Sequence, residues 1–306
     1  MNHSQKLHPS RLTGIFLVLI ATACWGTSGI FIINIIEKSG LSAVGLAFWR
    51  DLISSLILLV GILIIRPKLL HLKKKDIPWL VAMGAISIGA FHIFWNMSVL
   101  TLGASLATVI QCTAPVFVTI MARVFFKESL NFRKVLAILA AAGGTVLAAG
   151  SIIGGNWIID PQGFGIAILS ALTYSSLFLF GKRLTADYNP WTITFYVFAI
   201  GTITIFIFQG ARPDPWPAGS GVLGWILGFV LMSTILGFGL YVKALQILPA
   251  SVASITATAE ILFAAILANI FLGERLGGWQ ILGALLIIFG VVLVSFTKER
   301  SADKQL

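Results

Sequence analysis

Ten apolar stretches, each close to the length needed to cross a bilayer, leave this chain few ways to fold. They run over 14–36, 42–65, 78–100, 104–126, 134–151, 163–181, 191–209, 222–246, 250–272 and 279–297. About 20 mainly apolar residues span the hydrocarbon core as a helix. A helix meets every backbone polar group internally, which lipid demands. The connections are short: "TLGAS" (101–105) and "LPAS" (248–251) barely reverse the chain. Only 10% of residues are charged and 58% are hydrophobic, against about 25% charged in a soluble domain. Such a chain cannot cover a water-facing surface, so its outside must face lipid. The basic start "MNHSQKLHPSR" leads into 14–36. That run is longer than a signal-peptide core and no A-x-A site follows, so it is expected to stay as a helix.

A net charge of +10 could suggest a nucleic-acid partner, but the positions of the charges argue otherwise. They cluster in breaks such as "RPKLLHLKKKD" (66–76) and form no continuous basic face. With the N-terminus inside, the cytoplasmic segments hold Lys6, Arg11, Arg66, Lys68, Lys73, Lys74, Lys75, Lys127, Arg133, Lys134, Lys182, Arg183, Lys298, Arg300 and Lys304. The outer segments hold Lys38, Arg212 and Arg275. Fifteen against three places both termini in the cytoplasm. Cys24 and Cys112 both sit in apolar runs and make neither a disulfide framework nor a metal pattern. No cofactor, metal or nucleic acid is expected.

The two halves resemble each other. "LGASLATVIQCTAPVF" (102–117) matches "LPASVASITATAEILF" (248–263) at an offset of 146. The same offset pairs Trp95 with Tyr241, "FFKESL" (125–130) with "FLGERL" (271–276), and Gly144 with Gly290. At an offset of 149, Gly14 pairs with Gly163 and Trp25 with Tyr174. Each repeat holds five spans, an odd number, so the second must insert upside down. Inverted repeats characterise transporters, with the substrate site near the midplane at the repeat interface. The expected organisation is a tail over 1–13, repeats over 14–151 and 163–297, and a tail over 298–306.

Several stretches resemble the drug/metabolite transporter superfamily, specifically its EamA-type repeats. They are "ACWGTSGIF" in the first span, "FWR" in the second, "TAPVF" in the fourth and "GERL…GALLIIFGVVLV" at the end. The resemblance covers 12–297 and implies a ten-helix transporter, often an exporter, of small metabolites. Where the second repeat of relatives commonly reads Glu-Pro, this chain has Glu260-Ile261. Only Pro115 in the first repeat keeps the helix-breaking proline, so a symmetric pair of kinks is not expected.

Depth separates informative polar residues from tolerated ones. Glu260 lies about 15 Å into its span, where an ionised carboxylate costs roughly 2.5–3.5 kcal/mol on insertion scales. It therefore faces a watery cavity, pairs with a cation, or stays protonated, as a substrate or proton site or as a structural bond between helices. Its repeat equivalent is Ala114, so carboxylate chemistry at the midplane is one-sided. Thr108, Gln111, Cys112, Pro115 and Thr119 make a mildly polar stripe on the fourth span. Opposite is a small-residue face of Ala253, Thr256, Ala257, Glu260 and Ala264, which close helix packing also explains.

Arg50 lies roughly 12 Å in from the outer face and is a candidate anion partner or gate. Asp51 follows it, but helical neighbours point about 100° apart, so Asp51 is expected to pair with another helix. Trp25 and Tyr174 are candidate cavity walls, with helix packing the blander reading. Trp95 and Tyr241, near span ends, read as interfacial aromatics. His92 is a candidate proton relay or a satisfied polar residue. Arg123 and Lys243 are expected to snorkel to the cytoplasmic face. Glu128 and Glu274 precede helices whose dipoles they complement.

These features favour a secondary transporter binding a small molecule within the lipid bilayer, with protons as a candidate coupling ion. No Gly-Lys-Ser/Thr loop offers ATP chemistry. A membrane-embedded enzyme would need clustered His, Asp, Glu or Cys, yet three of the four histidines fall in the tail or a basic loop. A channel or sensor is the third class. Cargo, direction of transport and oligomeric state correspond to no motif in the chain.

Overall fold

A computed structural model describes residues 11–102, 107, 110, 111, 113–148, 161–217, 221–272 and 278–296. Among these, every regular element is helical. In chain order they are α1 (Arg11–Gly26), α2 (Ser28–Ser39), α3 (Ala43–Ile65), α4 (Ile77–Ala82), α5 (Phe91–Leu102), α6 (Ala114–Phe126) and α7 (Phe132–Ala148). Then follow α8 (Pro161–Leu184), α9 (Pro190–Phe208), α10 (Val222–Gly228), α11 (Gly237–Leu245), α12 (Ala250–Ala257), α13 (Ala259–Leu272) and α14 (Gly278–Ser295). A π-helical segment, Met83–Ala90, joins α4 to α5, and a second, Phe229–Leu236, joins α10 to α11.

Among the described residues, six stretches are long and apolar enough to cross a membrane: Arg11–Ser39, Ala43–Ile65, Lys74–Ser98, Pro161–Leu184, Pro190–Phe208 and Val222–Leu245. Shorter apolar helices cover Ala114–Phe126, Ala250–Ala264 and Ile281–Ser295, and α7 occupies the fifth expected stretch. Large apolar side chains such as Ile64, Ile65 and Phe132 lie more than three-quarters exposed, a surface that only lipid accommodates. The protein is a multi-pass, all-helical membrane protein.

Local chemistry sets the ends of these helices. Gly40, at a φ of 67°, closes α2 with its N–H on the Ile36 carbonyl, a left-handed cap that glycine adopts without strain. Ser42 caps α3, its Oγ accepting from Gly45 N at 3.0 Å. Asp214, from the far repeat, receives Ser42 N at 2.7 Å, and its backbone carbonyl takes the Trp49 indole at 2.9 Å.

Three interruptions fall on threonines. Thr27 separates α1 from α2, Thr113 precedes α6, and Thr258 separates α12 from α13. Each hydroxyl donates to the carbonyl three residues earlier, at 2.6, 2.7 and 2.7 Å respectively. Each of these carbonyls also takes its threonine's own N–H, so the hydroxyl adds a second bond where the regular ladder stops. Thr22 makes the same bond inside unbroken α1, so the hydroxyl accompanies the break and does not cause it. Pro115, in the first turn of α6, removes an N–H there. At Thr258 there is no proline, yet the helix breaks. The expectation that the second repeat would lack a matching interruption is thereby corrected. Every residue of α12 is buried, whereas α13 leans Ala259 and Ile261 on Ile287 and Val291 of α14.

The π segments carry the repeat into the backbone: Met83 and Phe229 stand 146 residues apart, as do Ala90 and Leu236. Ser87 and Ser233, related by the same offset, each reach across to the first helix of the other repeat. The Ser87–Ser176 hydroxyl pair is 2.5 Å apart and the Ser28–Ser233 pair 2.6 Å. Gly144 and Gly290, paired in sequence, also act as a pair in space. A Cβ on Gly144 would lie 2.6 Å from Gly283 O, and one on Gly290 2.9 Å from Ala137 O. The absent side chains let α7 and α14 touch backbone to backbone.

The basic end of the bundle is tied together within the second repeat by Lys182 and across the repeats by Glu128. Lys182 Nζ donates to Leu245 O at 2.9 Å and Leu248 O at 2.8 Å. Glu128 accepts from Ala250 N at 2.8 Å and from the Ser251 hydroxyl, with buried Lys134 Nζ at 3.5 Å. Glu128 thus caps α12 of the other repeat and not the helix that follows it, which corrects the sequence expectation. Arg123 and Lys243 are exposed, and Arg123 donates to Glu128 O at 3.2 Å. Glu274 lies outside the described residues.

In the connecting loops, Lys73 meets Asp187 at 2.6 Å. The hydrogen bond from Lys73 holds the Asp187 carboxyl below its ordinary value, and Asp187 raises Lys73 in return. The Asp187 share of stability is present at neutral pH and fades as acid protonates it. The Lys73 share fades only in strong base, and both are small because the pair is exposed.

Gly144→Val should lower the unfolding midpoint in detergent by several degrees, because an overpacked contact costs about 1–3 kcal/mol. Gly143→Ala, with open space at its Cβ, should leave the midpoint level or raise it. Fluorescence-detected thermal unfolding of both variants makes the comparison.

Candidate functional site

Glu260 sits in the first turn of α13, two residues beyond the Thr258 break. An acidic group is favoured there because unpaired N–H groups gather at a helix start. The side chain is half-buried. Among the described residues no hydrogen bond or cation reaches it. A Cβ on Gly26 would fall 2.9 Å from Ala264 N and 3.0 Å from Phe263 Cβ. Gly26 therefore lets α1 approach α13 one turn beyond Glu260.

The neighbouring sequence candidates divide in two. Thr256 is fully buried and spends its hydroxyl on Val252 O at 2.8 Å, so it offers no free group. Ala253 and Ala257 are buried by packing. The Gln111 Oε1 and Thr119 Oγ1 atoms are buried with no partner among the described residues. Each is a group that a ligand or water could satisfy. Thr108 and Cys112 lie outside the described residues, and Pro115 is buried at the α6 start.

Aromatic rings join the first helices of the two repeats. Trp25 and Tyr174 are linked through two intervening rings. Trp25 lies 5.1 Å from Tyr241, Tyr241 5.4 Å from Phe178, and Phe178 5.2 Å from Tyr174, between ring centres. Phe238 adds 5.6 Å to Trp25, and Phe91 adds 5.0 Å to Tyr174. Tyr241 is fully buried in this core, so its expected interfacial place is corrected. Packing against Trp25 and Phe178 holds the ring inward. Its Oη has no partner among the described residues. Trp95 is half-buried with its ring 6.4 Å from Phe91.

A second polar place lies between α3, α5 and the Phe229–Leu236 segment. Arg50 Nε meets Asp51 Oδ1 at 2.9 Å, and His92 Nδ1 meets Asp51 Oδ2 at 3.1 Å. Arg50 Nη2 stands 2.6 Å from His92 Nε2 and 2.8 Å from Nδ1. The Arg50 guanidinium also rests 5.3 Å above the Phe229 ring. Asp51 is completely enclosed, while the Arg50 side chain keeps 16% exposure. Asp51 does pair with another helix, through His92, but it pairs with Arg50 as well. The long Arg50 side chain folds back far enough to overcome the divergence of adjacent Cβ bonds. Arg50 and His92 therefore share a cluster, whereas no hydrogen bond or ion pair among the described residues joins either to Glu260. Phe229 escaped sequence reasoning because one more Phe in an apolar run carries no local signal.

The sequence profile of the EamA-like transporter family matches residues 12–150 and again 162–296. An uncharacterized transporter of Archaeoglobus fulgidus is 27% identical over 83% of this chain and 89% of its own. The uncharacterized inner membrane transporter YicL of Salmonella typhimurium is 25% identical over 94% and 97%. The uncharacterized transporter YwfM of Bacillus subtilis is 29% identical over 94% and 95%. A solved crystal structure superposes with a TM-score of 0.77 at 16% identity, covering 93% of this chain and 96% of that one. At that identity the likeness concerns the fold alone.

Asp51→Ala should cost about 3–5 kcal/mol, because it leaves the Arg50 cation without its anion. Arg50→Gln combined with Asp51→Asn should recover much of that loss, read as thermal midpoints of the purified protein. Tyr241→Phe should leave the midpoint unchanged or raise it, since an unbonded buried hydroxyl costs about 1–3 kcal/mol.

Proposed function

The chain belongs to the EamA-like transporter family, and from that premise we propose that it is a secondary carrier exporting a small amphipathic metabolite. The protein is a membrane transporter. In our reading ten helices cross a bacterial-type inner membrane, N-in and C-in, as two inverted repeats that alternate access to a midplane site. The inner-membrane name of the Salmonella relative agrees with that location.

The observation that carries the reading is Glu260: a half-buried carboxylate, without a bonded partner among the described residues, at the start of a half-helix created by the Thr258 break. Broken helices at the repeat interface are where carriers bind cargo and coupling ions, and an intramembrane carboxylate is a functional site by default. Gln111, with an unpaired buried oxygen, would help to line the same site. The chain of rings from Trp25 through Tyr241 to Tyr174 would wall it with apolar surface. Arg50 suits the carboxylate of an amino acid or a related acid. Protons fit as the coupling ion, with Glu260 one acceptor, and uniport fits equally well.

Metabolite profiling of overexpressing and deletion cells should find at least one metabolite whose external level follows expression. In vesicles loaded with that compound, Glu260→Gln should lower transport at least tenfold, roughly the loss of one charged contact, while the protein expresses and unfolds as before. An unchanged rate and pH dependence would remove Glu260 from the mechanism.

A further inference from the structure

Arg50 and His92 stand in a relation that only one protonation state of the imidazole permits. A guanidinium has five donors and no acceptor, so a ring nitrogen 2.6 Å from Arg50 Nη2 must present a lone pair. His92 Nδ1 stands 2.8 Å from the same Nη2 and 3.1 Å from Asp51 Oδ2; an ionised carboxylate can only accept, so the ring proton is assigned to Nδ1, directed at Asp51. Nε2 is left to accept from Arg50. On that assignment the ring is neutral and protonated on Nδ1, and the three side chains together carry no net charge.

The groups around the ring make this arrangement sensitive to a single proton. From α3 the charged groups facing His92 are Arg50 and Asp51. From α8 the nearest titratable group is Tyr174, stacked on the adjacent Phe91 at 5.0 Å. The Met83–Ala90 segment contains no titratable residue, and the Phe229–Leu236 segment contributes the Phe229 ring beneath the guanidinium. A proton taken from water onto Nε2 would set two donors against each other at 2.6 Å. It would also place a second cation beside the first, and Asp51 can neutralise one of them. The imidazolium keeps its bond to Asp51 through Nδ1, so the flexible, partly exposed Arg50 is the group that must move.

We propose that His92 is the proton site of the carrier, and that its protonation displaces Arg50 from the ring and frees the guanidinium to bind the carboxylate of the cargo. The inference rests on the carrier reading above and assigns it a cargo class, amphipathic carboxylates, and a coupling ion. Phe229 offers an apolar platform 5.3 Å from the guanidinium for the rest of such a molecule. Proton and carboxylate then enter together with no net charge added to the membrane interior. Linkage makes the effect reciprocal: the proton tightens carboxylate binding and the carboxylate tightens proton binding by the same factor.

Benzoate and L-leucine serve as probes, titrated by calorimetry into the purified full chain at about pH 8 and about pH 6, on either side of ordinary imidazole titration. At least one should bind about tenfold tighter at the lower pH, with uptake of close to one proton per probe bound. In His92→Gln the two affinities should be equal. Failure of both probes to bind, affinity independent of pH, or a pH dependence that survives in His92→Gln would overturn the proposal. A wild-type measurement covers the case in which that variant does not fold. The chain has four histidines, so ring-labelled protein gives few nitrogen NMR signals to separate. At about pH 8 His92 should show a protonated Nδ1 and a bare Nε2, and benzoate at about pH 6 should leave both protonated. The opposite tautomer, or a ring indifferent to benzoate, would also overturn it. Neither measurement involves transport, so the linkage can hold while the carrier reading fails in vesicles, and the reverse.

Discussion

Hydrocarbon offers no partner to a backbone N–H or carbonyl, and the helix interruptions described in this protein's apolar stretches are arranged around that fact. The interruptions at Thr27, Thr113 and Thr258 each carry a hydroxyl that adds a second bond to the carbonyl already taken by the threonine's own N–H. The longer deviations, Met83–Ala90 and Phe229–Leu236, are π-helical and keep their bonds internal. Serines at matched positions then pin each π segment to the first helix of the other repeat. The two halves are held by reciprocal bonds of the same chemical kind. That symmetry is what a duplicated sequence produces when its two copies pack on each other.

Against this symmetric frame the ionisable groups are asymmetric. Glu260 answers to Ala114 in the other repeat, and His92 answers to Phe238. The charged cluster of Arg50, Asp51 and His92 lies wholly in the first repeat. In the proposed carrier cycle the frame would supply the geometry for two related conformations, and the single-copy charges would give those conformations different chemistry. A perfectly duplicated set of charges would bias neither.

Much of the architecture could be read from the chain, because apolar length and residue offset report directly on lipid-facing helices and duplicated packing. The 146-residue offset found from "LGASLATVIQCTAPVF" and "LPASVASITATAEILF" also relates the π segments and the Gly144–Gly290 contact. Where the reading failed, a local rule met a contact made at long range. The absence of a proline after Glu260 seemed to remove a break that Thr258 nonetheless carries. The place of Tyr241 in its stretch suggested an interface, but packing on Trp25 and Phe178 draws it into the core. The divergence of neighbours on a helix argued against an Arg50–Asp51 pair, and a long flexible side chain defeats it. Glu128 was read against the helix beside it, while its true partner, α12, is over a hundred residues away. Of the site, the sequence identified Glu260, Arg50 and His92 one by one. It could not group two of them and leave the third apart, because that grouping depends on which helices touch.

The account stands or falls on whether the two ends of the bundle open in alternation. Spin-label distance measurement tests this without knowledge of the cargo, on a background with Cys24 and Cys112 replaced. One label pair, at Lys75 and Ala186, reports on the basic end; another, at Lys38 and Leu223, reports on the opposite end. The account predicts two populations at each end, with the longer distance gaining at one end as it declines at the other when pH is lowered. A single distance at each end, or both ends lengthening together, would contradict it.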